Sequence, residues 1–119
     1  MDNLFVKKEF ISHSGKKLDF KIECDALTYK DIETLAYIIS KRFIFSEVFG
    51  IPNGGIRIAN ALKKYRSEGY PYLIVDDVLT TGKSMEEYRK KYKDNIIGVV
   101  LFSRGKCPSW ITPIFKMIE

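Results

Sequence analysis

The sequence predicts an α/β fold, a small parallel sheet with flanking helices behind an N-terminal β hood. Three observations carry that reading. Leu73-Ile74-Val75 and Ile96-Ile97-Gly98-Val99-Val100-Leu101-Phe102 are apolar runs without alternation, the pattern of strands buried on both faces. Segments of helical periodicity separate the strands, as the crossovers of a parallel sheet require. Twice, at Gly50–Gly55 and at Thr80–Ser84, a turn rich in glycine or hydroxyl groups follows a strand and opens a helix.

Taken in order, Leu4-Phe5-Val6 and Glu9-Phe10-Ile11 form the first half of a hairpin and Ser14-Gly15-Lys16 its turn. The alternation from Leu18 to Cys24 marks a half-buried return strand. Thr28 is the expected N-cap of a helix, with Asp31 closing a capping box. Ile32, Leu35, Ala36, Ile39 and Phe43 give that helix its apolar stripe as far as about Arg42. Ile44 to Phe49 reads as a short strand. A second helix runs from Gly55 to Gly69, with Ile56, Ala59, Leu62 and Tyr65 inward and Gly69 as its C′ residue. The central strand is expected over Tyr72 to Val75. The helix after Ser84 turns Met85, Tyr88 and Tyr92 inward. The run from Ile96 to Phe102 is the next strand. Trp110 to Ile118 is the last, and Pro113 makes it an edge strand or a bulged one.

A chain of 119 residues reads as one domain, 1–119, divided into a hood at 1–25 and an α/β core at 26–119. With 45% hydrophobic residues it can bury a small core. No apolar run is long enough for a membrane span, and Met1-Asp2-Asn3-Leu4 lacks the pattern of a secretory signal. Cys24 and Cys107 have no metal-type spacing; thiols in a reducing cytoplasm are the expectation. The net charge of +5 suits anionic ligands. The basic runs Lys63-Lys64-Tyr65-Arg66 and Arg89-Lys90-Lys91-Tyr92-Lys93 lie at helix C-terminal ends, where the dipole favours cations. They read as solvated helix faces rather than a nucleic-acid surface.

The chemistry concentrates in Val75-Asp76-Asp77-Val78-Leu79-Thr80-Thr81-Gly82-Lys83-Ser84. A buried strand delivers two adjacent carboxylates, then a hydroxyl-lined turn, then a helix start. Open α/β sheets bind ligands at that end of their strands. Phosphate is matched by amide donors, hydroxyls and the positive end of a helix, which Thr80 to Ser84 supply. Ribose hydroxyls are matched by carboxylate acceptors, which Asp76 and Asp77 supply. Gly82 lets the backbone turn tightly. The ending Gly82-Lys83-Ser84 is not a P-loop, since Asp77 stands where that motif requires its first glycine.

This stretch closely resembles the loop that binds phosphoribosyl pyrophosphate (PRPP) in the type I phosphoribosyltransferases. The resemblance implies that Asp76 and Asp77 hold the ribose and that Thr80, Thr81, Gly82, Lys83 and Ser84 cradle the 5′-phosphate. In that family a loop at the place of Gly50-Ile51-Pro52-Asn53-Gly54-Gly55 binds pyrophosphate, which falls here to Asn53, Gly54 and Gly55. The orotate enzymes look most similar. Phe10-Ile11-Ser12-His13-Ser14-Gly15-Lys16 resembles the segment with which they roof the base, with His13 where they carry a lysine. Thr80 matches one of their base contacts, where the 6-oxopurine enzymes carry an aspartate. Arg104 stands where they place a base-binding arginine. The resemblance spans about Phe10 to Arg104.

It implies a minimal, truncated PRPP-dependent transferase, using Mg²⁺ and joining a pyrimidine-type base such as orotate to ribose 5-phosphate with release of pyrophosphate. Asp76 and Asp77 would meet the metal indirectly, and a homodimer would follow the family's habit. Two departures bear on turnover. Orotate enzymes insert strands and a mobile catalytic loop between the pyrophosphate loop and the acidic loop, where this chain has one helix. They also carry a lysine in the pyrophosphate loop, replaced here by Asn53-Gly54. The alternative is therefore a non-catalytic protein that binds PRPP or a nucleotide in a regulatory or sequestering role.

Overall fold

Ahead of the first helix lie two short antiparallel pairs: β1 (Phe5–Val6) with β4 (Lys21–Ile22), and β2 (Phe10–Ile11) with β3 (Lys17–Leu18). In sequence order the β2–β3 pair lies between the two strands of the β1–β4 pair. The computed structural model describes residues 5–6, 10–11, 17–18, 21–22, 24–92 and 95–116. A single 3₁₀ turn, Cys24–Ala26, leads into α1 (Tyr29–Arg42). The capping box forms as expected: Asp31 N–H donates to Thr28 Oγ1 at 3.1 Å, and Thr28 N–H donates to Asp31 Oδ2 at 2.8 Å.

The body is a four-stranded, wholly parallel sheet in the order β5-β6-β7-β8. Its strands are β5 (Glu47–Gly50), β6 (Tyr72–Leu79), β7 (Ile96–Ser103) and β8 (Ile111–Lys116). Between β5 and β6 runs α2 (Gly54–Leu62), continued by a 3₁₀ turn at Lys63–Tyr65; α3 (Lys83–Arg89) joins β6 to β7. The unbroken apolar runs now have their reason. Leu73, Val75, Val99 and Leu101 face α1 and α2, while Ile74 and Val100 face Met85 and Ile111 on the other side. Both faces of β6 and β7 are covered, so neither strand can alternate.

Five local expectations are corrected, the first being the strand expected over Ile44 to Phe49, which is β5 at Glu47–Gly50. The central strand does not stop at Val75: its ladder with β7 continues through Asp76↔Val100, Val78↔Phe102 and Leu79↔Ser103. β5, by contrast, ends at Gly50 opposite Val75, so the acids sit inside a strand paired on one side only. The core face of α2 uses Gly55, Ile58, Ala59 and Leu62, and Ile56 is 42% exposed. The helix is phased by Gly55 packing on β6, and positions three, four and seven residues on follow it. It gives way to the 3₁₀ turn after Leu62 instead of reaching Gly69, whose φ of 91° belongs to the turn into β6. α3 starts at Lys83, two residues early, because Gly82 at φ 81° makes the bend that launches it. Pro113 needs no bulge: the β7–β8 register is uninterrupted, and an edge strand tolerates a missing N–H. Among the described residues no helix is long and apolar enough to cross a membrane.

Candidate functional site

Parallel pairing puts the C-terminal ends of β5, β6 and β7 on one edge of the sheet, and every described candidate residue lies there. After β5 the chain keeps one more contact, Ile51 N–H donating to Val75 O at 2.9 Å. It then passes a cis Pro52–Asn53 peptide into α2. The two glycines that open this helix are there for lack of room. A Cβ on Gly55 would lie 2.4 Å from Val75 O, and one on Gly54 would lie 2.0 Å from Asp77 Oδ2. Any real side chain at either position would have to displace something. The glycine loop and the acidic strand, read separately in the sequence, are thus pressed together.

The acid pair is organised by its own backbone. Asp76 Oδ1 accepts from Asp77 N–H at 2.8 Å, and Asp77 Oδ1 accepts from Val78 N–H at 2.7 Å. Burial pushes the Asp76 carboxyl up to about 8; the hydrogen bond and charge of the Asp77 side chain push the same way, and the backbone N–H of Asp77 opposes them. At neutral pH Asp76 therefore carries a proton in the unliganded protein, and the pair presents a donor and an acceptor together.

The hydroxyl-lined turn follows directly. Thr80, Thr81, Lys83 and Ser84 are exposed, whereas Gly82 is buried against Leu79 and Pro108. Thr81 Oγ1 accepts from Lys83 N–H at 3.3 Å, and Gly82 O accepts from Glu86 N–H at 3.0 Å. The third loop is tied in by Arg104 N–H, which donates to Leu79 O at 3.3 Å. Ser103 is buried and shapes this loop: its hydroxyl donates to Gly105 O at 2.7 Å and receives Cys107 Sγ at 3.2 Å. At the far end Trp110 Nε1–H donates to Glu86 Oε1 at 2.6 Å, and the Arg89 guanidinium stacks on the indole at 4.8 Å. Loop three is so anchored to α3, which carries the end of loop two.

Asp76, Asp77, Asn53, Gly54, Gly55, Thr80 to Ser84 and Arg104 therefore share one sheet edge. His13 lies outside the described residues. One group escaped the sequence reading. A cavity of about 220 Å³ opens beside Asp77, lined by Cys24, Leu27, Asn53, Gly54 and Arg57 over an apolar floor that includes Leu101. Arg57 donates from Nη2 to Leu27 O at 2.8 Å. The signal available was its place three residues after Gly54, which puts the two on the same side of a helix.

The basic runs are largely spent within the fold. Lys64 pairs with Glu33, Arg66 with Glu47 at 3.0 Å, and Lys91 stacks on Tyr88 at 4.2 Å. Among the described residues no group of three or more His, Cys, Asp or Glu side chains is placed to hold a metal. The acid pair fits an ion held chiefly by phosphate oxygens and water, as Mg²⁺ is with phosphorylated substrates.

Three solved structures are similar to this chain in fold. Orotate phosphoribosyltransferase from Aeropyrum pernix superposes with a TM-score of 0.72 at 19% identity, over 95% of this chain and 88% of that one. The chain has the fold of the orotate phosphoribosyltransferases. The enzyme of that name from Francisella tularensis gives 0.66 at 19% identity, over 95% and 80%. Leishmania donovani UMP synthase gives 0.71 at 16% identity, over 96% of this chain and 33% of that one. The likeness is one of shape: no protein-family model matches the sequence, and no curated protein matches it significantly. A type I phosphoribosyltransferase-like fold, in shortened form, is thus what this chain builds.

Proposed function

We propose that this chain is a minimal PRPP-dependent phosphoribosyltransferase, acting on a pyrimidine-type base such as orotate to give the nucleoside 5′-monophosphate and pyrophosphate. The observation that carries the reading is the contact of the Asp77 carboxylate with Gly54. It makes one space out of the acidic strand end and the glycine loop, and PRPP is a ligand with a diol and a diphosphate one bond apart. Asp76 and Asp77 hold the ribose hydroxyls. Thr80, Thr81, Gly82, Lys83 and Ser84 receive the 5′-phosphate, and Asn53, Gly54 and Gly55 line the pyrophosphate. Thr80, Arg104 and His13 address the base. Asp76 and Asp77 would hold a Mg²⁺ ion indirectly, and the ion would supply positive charge against the diphosphate.

The bond from the anomeric carbon to pyrophosphate breaks as the base nitrogen approaches, and positive charge builds on the ribose ring. The Asp77 carboxylate beside the ring stabilises that charge more in the transition state than in the ground state, while protonated Asp76 donates to a ribose hydroxyl. The proposed setting is the cytoplasm, and a homodimer is the proposed assembly.

A second reading has its own observation. α2 and one 3₁₀ turn join the glycine loop to β6, and residues 51–71 hold no loop long enough to fold over the site as a lid. That favours a protein that binds PRPP or a nucleotide without turnover. Incubation with PRPP, Mg²⁺ and a panel of bases separates the two. Pyrophosphate release above that of the Asp76→Asn, Asp77→Asn double variant supports the enzyme; tight binding without release supports the sensor. No binding of PRPP or of any ribonucleoside 5′-monophosphate would refute both.

A further inference from the structure

We infer that Arg57 is the residue that recognises the diphosphate of the donor, a role that rests on the PRPP reading above. The argument is one of charge and room. Any diphosphate seated against Asn53 and Gly54 comes close to the Asp77 carboxylate, which repels it, and its charge exceeds what one Mg²⁺ offsets, so a protein cation nearby favours binding. The loop cannot furnish one. Asn53 is neutral, and Gly54 carries no side chain, the place of its Cβ being taken by the Asp77 carboxylate, with Oδ2 2.0 Å away. Position 55 is closed more firmly, by the backbone carbonyl of Val75 at 2.4 Å. The next position on that side of α2 is Arg57.

Among the described residues lining the cavity beside Asp77, Arg57 is the only cationic one. It is also held in place. The bond from Nη2 to Leu27 O at 2.8 Å spends one of its five N–H donors and fixes the guanidinium at the cavity wall. Among the described residues the guanidinium has no other hydrogen-bond partner, which leaves four donors in a planar fork, the geometry that grips phosphate oxygens two at a time. A lysine would offer charge without that fork. Arg57 is accordingly a binding residue for the leaving group, carried by the helix instead of by the loop.

PRPP and ribose 5-phosphate share the sugar and the 5′-phosphate and differ in the diphosphate. Calorimetric titration of both, with Mg²⁺, reads the role without any need for turnover. The intact chain is expected to bind PRPP at least about tenfold more tightly than ribose 5-phosphate, the scale of a charge-assisted pair. Arg57→Gln retains a donor for the Leu27 carbonyl but loses the charge. It should bring the two affinities within about threefold of each other and leave that for ribose 5-phosphate unchanged. Arg57→Lys should recover part of the preference. A PRPP preference undiminished in Arg57→Gln, or none in the intact chain, overturns this assignment alone. If ribose 5-phosphate fails to bind, or binds equally well to the Asp76→Asn, Asp77→Asn double variant, the PRPP reading falls with it. A thermal melt of each variant against the intact chain distinguishes lost binding from lost fold.

Discussion

The Asp77 carboxylate occupies the space that a side chain on Gly54 would need, with Oδ2 only 2.0 Å from the ideal Cβ position. Two segments more than twenty residues apart in sequence thereby define one surface, and each limits what the other can be.

Alanine at positions 54 and 55 should separate binding from folding. At 54 the obstruction is the end of a side chain that can swing aside, whereas at 55 it is the carbonyl of Val75 in the central strand. Gly54→Ala is expected to cost under about 1 kcal/mol of stability, and Gly55→Ala about 1–3 kcal/mol. Gly54→Ala should nonetheless weaken ribose 5-phosphate binding about tenfold by turning Asp77 out of place. Urea unfolding and calorimetric titration of both variants check this. Unchanged affinity in Gly54→Ala would show that Asp77 does not meet the sugar.

Asp76 should make the unliganded protein less stable as the pH rises. Its carboxyl is held up to about 8 in the fold, against 3.8 for the unperturbed group. Below the lower value both states are protonated and the contribution is complete. Between the two values the unfolded chain releases its proton while the native state keeps it, so stability declines as pH climbs toward the upper one. The decline should reach a few kcal/mol, given about 1.4 kcal/mol per tenfold change in proton affinity. Urea midpoints taken across that range should fall steadily in the intact chain and flatten in Asp76→Asn. A parallel slope in the variant would mean that another group titrates.

Trp110 and Glu86 should be energetically coupled. Their bond, at 2.6 Å, joins the loop between β7 and β8 to α3. A hydrogen bond to a charged acceptor contributes about 1.5–3 kcal/mol, less where solvent reaches it. A double-mutant cycle with Trp110→Phe and Glu86→Ala should return about 1 kcal/mol of interaction. Strict additivity would assign the two residues to packing alone.

Much of this was legible in the sequence because strong local signals agreed with the fold. Thr28 and Asp31 close their box within one turn, and the runs at Leu73–Val75 and Ile96–Phe102 lack alternation because both faces are covered. The acid pair and the hydroxyl turn are contiguous, so their shared edge could be read directly. What escaped depends on distant contacts. Ile56 and Ile58 are equally apolar, and only the seating of Gly55 on Val75 decides which of them faces inward. The extension of β6 past its acids is decided by β7, whose ladder holds them in strand. Arg57 belongs to no motif; its place at the cavity comes from the carbonyl of Leu27, thirty residues away.

Trp110 is the only tryptophan in the chain. Its indole N–H is tied to a carboxylate on the short helix that carries Lys83 and Ser84 of the hydroxyl-lined turn. The molecule thus contains its own optical probe for that turn. Any ligand that draws the turn inward alters the polarity and hydrogen bonding felt by this single indole, and occupancy can be followed by tryptophan emission, excited apart from the seven tyrosines, without a label.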